Sequence, residues 1–440
     1  MSNFIAQREK NKMSGSYLVL RSTNKLRQTN FADIAENVFW NNGEAKELKR
    51  HRIHAYPAKF PAFITTKALD YARTQNVNVQ RVADIFCGCG TVAFEAKRNN
   101  IDFWGCDINP VATLIAKAKS LAYSEVRLNE YADQILDLYP NASAKLDISK
   151  GARARLNYWY LPKQFNQLAK LRNAIYEVIP ERSHYRTFFL CAFSNILKPT
   201  SRWLTKSIKP QIDPIKVPGD VRNSFVDQLK NMIDAVAECE IEGDAATEIV
   251  NANFLTLKPI DSRIDMIITS PPYVTSYEYA DLHQLSSLWL GYTDDYKLLR
   301  NGSIGSSQHD FNFSKEVKQL NESGTGIVFN LFARDKAIAR STAKYFLDMQ
   351  NVSTKCFEFL EEGGLALFVI GNTEYMGVKI DNAKHLAESL LSSGFRNVRV
   401  TKRRISNKFL TPNRDSKGKF SRSSVGKQIY GEEYILIAKK

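Results

Sequence analysis

The chain has 440 residues, 44% of them hydrophobic, and a formal net charge of +15. That length and apolar content exclude an intrinsically disordered chain and leave room for two or three domains around a sizeable core. The basic balance points to a polyanionic partner, nucleic acid first, with a generally basic surface as the plainer alternative.

The opening stretch MSNFIAQREKNKMSGSYLVL has no apolar core followed by a small-residue cleavage site, so it does not read as a signal peptide. No uninterrupted apolar run reaches the roughly 18 residues of a membrane span, and no membrane partner is expected. Six cysteines without a secretory signal read as free thiols in a reducing, cytoplasmic setting. Cys87-x-Cys89 and Cys106 lack a fourth ligand at metal-site spacing, so they are expected to be small buried residues and not a zinc site.

Residues 1–50 are polar and basic and read as a partly ordered arm carrying Arg8, Lys10, Lys12, Arg21, Lys25 and Arg27. From Val82 an α/β pattern begins. VADIF is a short buried strand, CGCG a glycine turn, and TVAFEAKRNN an amphipathic helix. FWGCDI is the next strand, and PVATLIAKAKSLA is a helix opened by Pro110. This unit, 51–125, forms one half of a domain. Residues 126–245 carry 3.6-residue periodicity in several segments and read as a helical insertion, with a role in target recognition open to it. Its proline- and lysine-rich loop, with Arg202, Trp203, Lys206 and Lys209, suits either nucleic-acid contact or a solvated linker.

The α/β pattern returns over 246–440. ATEIVNANFL and IDMIIT read as strands, YADLHQLSSLWLG as one helix, and 300–328 as a long polar loop. One long helix, FARDKAIARSTAKYFLDMQNVSTKCFEFL, is expected next, then the strand GGLALFVIGN and the helix NAKHLAESLLSSGF. FRNVRVTKRRI and EEYILIAKK close the chain as two strands around a basic loop. The expected fold is a Rossmann-like α/β sheet, mostly parallel, with a terminal antiparallel hairpin and a helical insertion.

Two motifs carry chemistry. In DIFCGCGT, Gly88 and Gly90 let the backbone approach a ligand at a strand's carboxyl end, where open α/β sheets bind theirs. Asp107 ends the next strand, where an acid can accept both hydroxyls of a ribose. Ala93 follows Val92, so the third glycine of a dinucleotide fingerprint is missing. Asp84 in the strand repels phosphate and suits a cationic amine, and S-adenosylmethionine fits that charge pattern. The plainer roles are a backbone cap for Asp84 and a strand-end turn for Asp107.

In TSPPY, two prolines fix two φ angles and remove two N–H donors, so carbonyl oxygens are presented without competing donors. Ser270 adds a hydroxyl acceptor and Tyr273 a flat ring. Two acceptors and a stacking plate suit an aromatic base with an exocyclic amine, flipped out of a duplex. A proline-rich strand exit with a packed ring is the alternative. Of the later rings, Tyr277 and Tyr279 could serve as packing or as pocket wall.

DIFCGCGT and SPPY together resemble the S-adenosylmethionine-dependent DNA amino-methyltransferases, which methylate N4 of cytosine or N6 of adenine. Asp84, Phe86, Gly88, Gly90 and Thr91 match that family's cofactor motif, with Ile85 and Cys89 in place of proline and serine. Ser270, Pro271, Pro272 and Tyr273 match its catalytic motif. Tyr56 and Phe60 in YPAKF resemble the segment that covers the methionine end of the cofactor. The resemblance implies that Asp107 and Ile108 hold ribose and adenine, and Asn253 stands where many members have an aspartate near the adenine amine. The serine form of the motif leans towards cytosine-N4, with adenine-N6 as the alternative. The implied partners are S-adenosylmethionine, double-stranded DNA and a cognate restriction endonuclease. An RNA base methyltransferase or a non-catalytic DNA-binding protein are the further readings. No Pro-Cys pair exists for attack at cytosine carbon 5.

Overall fold

The structure is a computed structural model that describes residues 16–41, 46–241, 243–260, 263–274, 278–305, 311–405, 413–414, 420–421, 427–428 and 431–440. Tyr277 and most of the basic loop before the last strand lie outside the described residues, as do Arg8, Lys10 and Lys12.

An eight-stranded sheet organises the chain. Its strands are β1 (Leu18–Leu20), β2 (Arg81–Asp84), β3 (Asp102–Asp107), β4 (Thr247–Asn251), β5 (Met266–Thr269), β6 (Leu365–Ile370), β7 (Arg396–Arg404) and β8 (Glu432–Lys439). The order is β1-β7-β8-β6-β5-β2-β3-β4. Strands β2 to β6 pair in parallel, whereas β8 runs antiparallel to both β6 and β7. This is the Rossmann-like sheet with an antiparallel hairpin that the strand pattern predicts. The order reverses at β2, which has β3 on one side and β5 on the other, and so places a ligand crevice at the carboxyl ends of these three strands.

The parallel strands are apolar on both faces because helices cover both. Met266, Ile267 and Ile268 of β5 are fully buried, as is Leu367 of β6. After β2 comes α3 (Thr91–Arg98), and after β3 comes α4 (Pro110–Ser120), with Asn109 capping its first turn through Val111 N–H. The preceding α2 (Ala62–Thr74) packs against α3.

Residues 16–41 are a correction to the arm reading. β1 pairs with β7, the short α1 (Thr23–Arg27) is capped by Ser22, and Leu20, Phe31 and Trp40 are fully buried. Sparse apolar residues in a polar stretch suffice once a sheet edge is there to receive them.

The insertion contains α5 (Glu125–Leu138), α6 (Lys150–Trp159), α7 (Pro162–Val178), α8 (His184–Ile196) and α9 (Val221–Ala237). Its core is continuous with that of α4, so it is docked onto the sheet layer instead of hanging from it. The Lys198–Val217 loop is itself a built structure. Trp203 is 2% exposed and stacks on Trp159 at 4.9 Å. Arg202 donates to the Tyr158 carbonyl, and Lys216 donates to the carbonyls of Lys198 and Trp203. Of the four sequence candidates, Lys206 and Lys209 are exposed.

Two further expectations change. The segment after TSPPY is two short helices, α10 (Tyr279–Leu282) and α11 (Gln284–Trp289), broken at His283. The end of the polar stretch 300–328 and the long helix after it form α12 (Glu322–Phe332) and α13 (Lys336–Phe359), with Asp335 capping the second. Gly324 and Gly326 hide the first of these helices from propensity, and tertiary packing of Val328 and Leu331 forms it. Helix α14 (Asn382–Ser392) completes the layer.

Candidate active site

Three strand ends meet at the carboxyl edge of the sheet. Asp84 is the last residue of β2, and its carboxylate accepts from Phe86 N–H at 3.1 Å and from the Thr269 hydroxyl at 2.7 Å. Thr269 ends β5, so this one bond ties the glycine-turn motif to the start of TSPPY. Asp107 ends β3 and accepts from Gly88 N–H at 2.9 Å and Asn109 N–H at 2.8 Å.

The turn needs its glycines. Gly88 and Gly90 have φ of +47° and +74°. A methyl group on Gly90 would stand 2.6 Å from Cα and Cβ of Ala116 in α4. Gly90 is therefore required both for its left-handed backbone and for the close approach of α3 to α4.

Burial raises both acids, Asp84 to about 7 and Asp107 to about 6. Neither forms an ion pair with a basic side chain among the described residues; their partners are backbone N–H groups and one hydroxyl. Two deep carboxylates at neighbouring strand ends, without a basic partner among the described residues, suit a cationic guest. A sulfonium with an α-ammonium has that charge, and a pyrophosphate does not. The donor set thus fits S-adenosylmethionine.

The other cofactor candidates fall into three groups. The Tyr56 ring lies on the glycine turn, its hydroxyl 3.5 Å from where a Gly88 Cβ would be, and it stacks on Tyr279 at 5.6 Å. Tyr279 thus packs on the ring that lies over the glycine turn. Ile108 and Asn253 come together under Gly302, to whose carbonyl Asn253 donates at 3.2 Å. Asn253 also accepts from Leu255 N–H, so its side chain caps a turn as well. Phe86 and Phe60 pack on different core clusters, and Thr91 is buried at the start of α3 with its hydroxyl unpartnered among the described residues.

The catalytic motif is held by residues far away in the chain. Ser270 donates its hydroxyl proton to the Val369 carbonyl of β6 at 2.9 Å, which leaves its oxygen lone pairs to accept. Pro272 departs from the expectation of free carbonyls, because its oxygen accepts from the Tyr345 hydroxyl of α13 at 3.0 Å. The Pro271 carbonyl has no hydrogen-bond donor among the described residues. Tyr273 packs on the backbone of Gly371, where a Cβ would be 3.0 Å from its ring, and donates to Glu433 at 3.2 Å. Sequence reading found none of Thr269, Tyr345, Gly371 and Glu433 as site residues. Thr269 opens the quoted TSPPY without being given a role there, whereas the other three carry no local signal.

Behind the site, the Asn109 amide lies 2.7 Å from His283 Nδ1. Because Asn109 Oδ1 accepts from Val111 N–H, its Nδ2 is the donor and the His283 ring is neutral, consistent with burial lowering its pKa to about 3. Gln284 accepts from Arg155 and Trp159, which docks the insertion beside the catalytic segment.

No protein-family model matches the chain. Over 428 residues it is 23% identical to the Type II methyltransferase M.MvaI of Kocuria varians, a match spanning 90% of this chain and 92% of that one. This chain resembles Type II methyltransferases along nearly its whole length. Two other Type II methyltransferases match over shorter spans. M.BsoBI of Geobacillus stearothermophilus is 21% identical, covering 67% of this chain and 69% of its own. M.AvaI of a Nostoc species is 22% identical, covering 68% and 70%. The methyltransferase resemblance carried by the two motifs is borne out by these relatives, while their names specify neither a base nor an amine. No helix among the described residues is long and apolar enough to cross a membrane.

Proposed function

We propose that the protein is a site-specific DNA methyltransferase that modifies the exocyclic amine of a flipped base, N4 of cytosine, as the protective half of a restriction–modification pair. The observation that carries this reading is the Thr269–Asp84 bond, which sets the amine-accepting motif against the cation-binding turn. S-adenosylmethionine supplies, when bound, an electrophilic methyl group on a sulfonium. Asp84, Gly88 and Gly90 with Tyr56 hold its methionine end, Asp107 its ribose, and Ile108 and Asn253 its adenine.

The chain's own residues prepare the amine. The Pro271 carbonyl and the Ser270 oxygen accept its two hydrogens, which draws the nitrogen lone pair out of the ring plane. Tyr273 offers a π-face to the charge that builds on the base. Burial and Glu433 push its phenol well above the ordinary range, so the ring stays neutral. The methylated amine, now positively charged, then loses one proton to solvent and returns to neutrality. The net charge of +15 holds the duplex backbone. The serine form of the motif supports cytosine over adenine.

The test is incubation with unmethylated DNA and isotopically labelled S-adenosylmethionine, followed by mass spectrometry of the nucleosides. N4-methylcytosine is expected. N6-methyladenine would overturn the base assignment, and an unlabelled digest would overturn the activity.

A further inference from the structure

The Tyr273 hydroxyl is not free at the site. It donates to Oε1 of Glu433 at 3.2 Å, while the other carboxylate oxygen of Glu433 pairs with Arg403. Glu433 on β8 and Arg403 on β7 are direct cross-strand partners. Their side chains are 17% and 5% exposed, so water screens the pair little. Arg403 is itself set over the Phe63 ring at 5.6 Å. On the other side, the Gly371 backbone backs the Tyr273 ring, and the Gly371 carbonyl accepts from Asn382 at 2.9 Å.

Cross-strand ion pairs on a sheet commonly contribute little, and both oxygens of a carboxylate usually face the same arginine. Here the carboxylate is divided, one oxygen to each partner. We infer that Glu433, held by Arg403, is a positioning residue for methyl transfer: it fixes the Tyr273 ring in the plane that stacks on the target base and enriches that ring's π-face. This rests on the proposed function, in which Tyr273 is the stacking plate. A phenol that donates to a carboxylate carries more electron density, and its face attracts positive charge more strongly. The benefit is larger in the transition state, where the amine nitrogen becomes positive, than with the resting base. The clamp should therefore act on the rate of transfer and leave cofactor affinity alone.

A double-mutant cycle tests this with the full chain, unmethylated bacterial genomic DNA and tritiated S-adenosylmethionine under single-turnover conditions. Tyr273→Phe and Glu433→Ala should each slow transfer by about tenfold, the effect of one charge-assisted hydrogen bond. The double variant should be no slower than either, because both remove the same bond. Cofactor dissociation constants should match the wild type throughout. Losses that multiply, or a wild-type rate for Glu433→Ala, would overturn the clamp. Glu433→Gln guards against a folding defect, since it keeps the shape and an acceptor without the charge. It should fall between wild type and Glu433→Ala, and a rate equal to wild type would overturn the electronic role. Absence of transfer by the wild-type chain would instead overturn the proposed function, and thermal midpoints of all variants identify any that are merely unfolded.

Discussion

The two halves of the site are built in opposite ways. Around the glycine turn, the acceptors and donors lie within a short run of chain: Asp84 with Phe86 N–H, Gly88 N–H with Asp107, Asp107 with Asn109 N–H. Around the catalytic motif the partners are remote: Val369 for Ser270, Tyr345 for Pro272, Gly371 and Glu433 for Tyr273. A backbone-shaped cradle follows from local residue order. A side-chain constellation that must meet a flipped base needs several strands and a helix to agree. The Thr269–Asp84 bond joins the halves directly, with the Tyr56–Tyr279 stack and the Asn109–His283 bond beside it.

The comparison predicts that substitutions in the remote half impair chemistry and those in the local half impair cofactor binding. The largest effect is expected for Tyr273→Ala, with transfer slowed by about a hundredfold or more and cofactor binding unchanged. Rapid-quench methylation and calorimetry would check it, and surviving activity would remove the stacking role. Asp107→Ala should weaken S-adenosylmethionine by roughly ten- to a hundredfold without altering the transfer rate of saturated enzyme. An unchanged dissociation constant would break the division between the halves.

Gly90→Ala probes the cradle as structure. Its methyl group meets Ala116 at 2.6 Å and its φ of +74° is unfavourable, so a loss of about 2–3 kcal/mol in denaturant titration is expected. The paired acids give the local half a pH signature that the remote half lacks. Asp84 and Asp107 ionise at about 7 and about 6 in the folded chain, above the 3.8 of a free aspartate. Below that free value both folded and unfolded chains are protonated. As pH rises the unfolded chain ionises first, so stability falls progressively to about pH 7 and is level above it. A cationic ligand favours the ionised pair, so S-adenosylmethionine affinity should rise with pH up to about 7, with proton release on binding. Calorimetry in buffers of different ionisation heat would measure both, and a flat affinity would dissociate the acids from the cofactor. The smallest effect is expected for Lys206→Gln with Lys209→Gln. Each exposed lysine that meets a phosphate should lower the salt slope of DNA binding by about one. An unchanged slope would place the insertion loop away from DNA.

Much of this architecture was legible in advance for identifiable reasons. The buried strands announce themselves as short apolar runs, VADIF and IDMIIT, because a parallel sheet covered on both faces tolerates little else. The insertion helices show their periodicity. What escaped reading was structure created by packing. Leu18–Leu20 is a strand only because β7 offers an edge. The α12 segment is a helix despite Gly324 and Gly326 because its buried face has a place to dock. His283 breaks a helix that periodicity runs straight through.

The amino-acid order alone determined the α/β alternation, the glycine turn with its two acids, and the rigid Ser-Pro-Pro-Tyr exit, since these rest on backbone conformations that particular residues dictate. Tertiary structure decided what faces what. It took the Pro272 carbonyl for Tyr345, left that of Pro271 without a donor among the described residues, and set Glu433 against the Tyr273 hydroxyl. Partners separated by tens to hundreds of residues leave no periodic trace in the chain, and the pairing of β5, β6, β7 and β8 together with the packing of α13 brings them within hydrogen-bond reach.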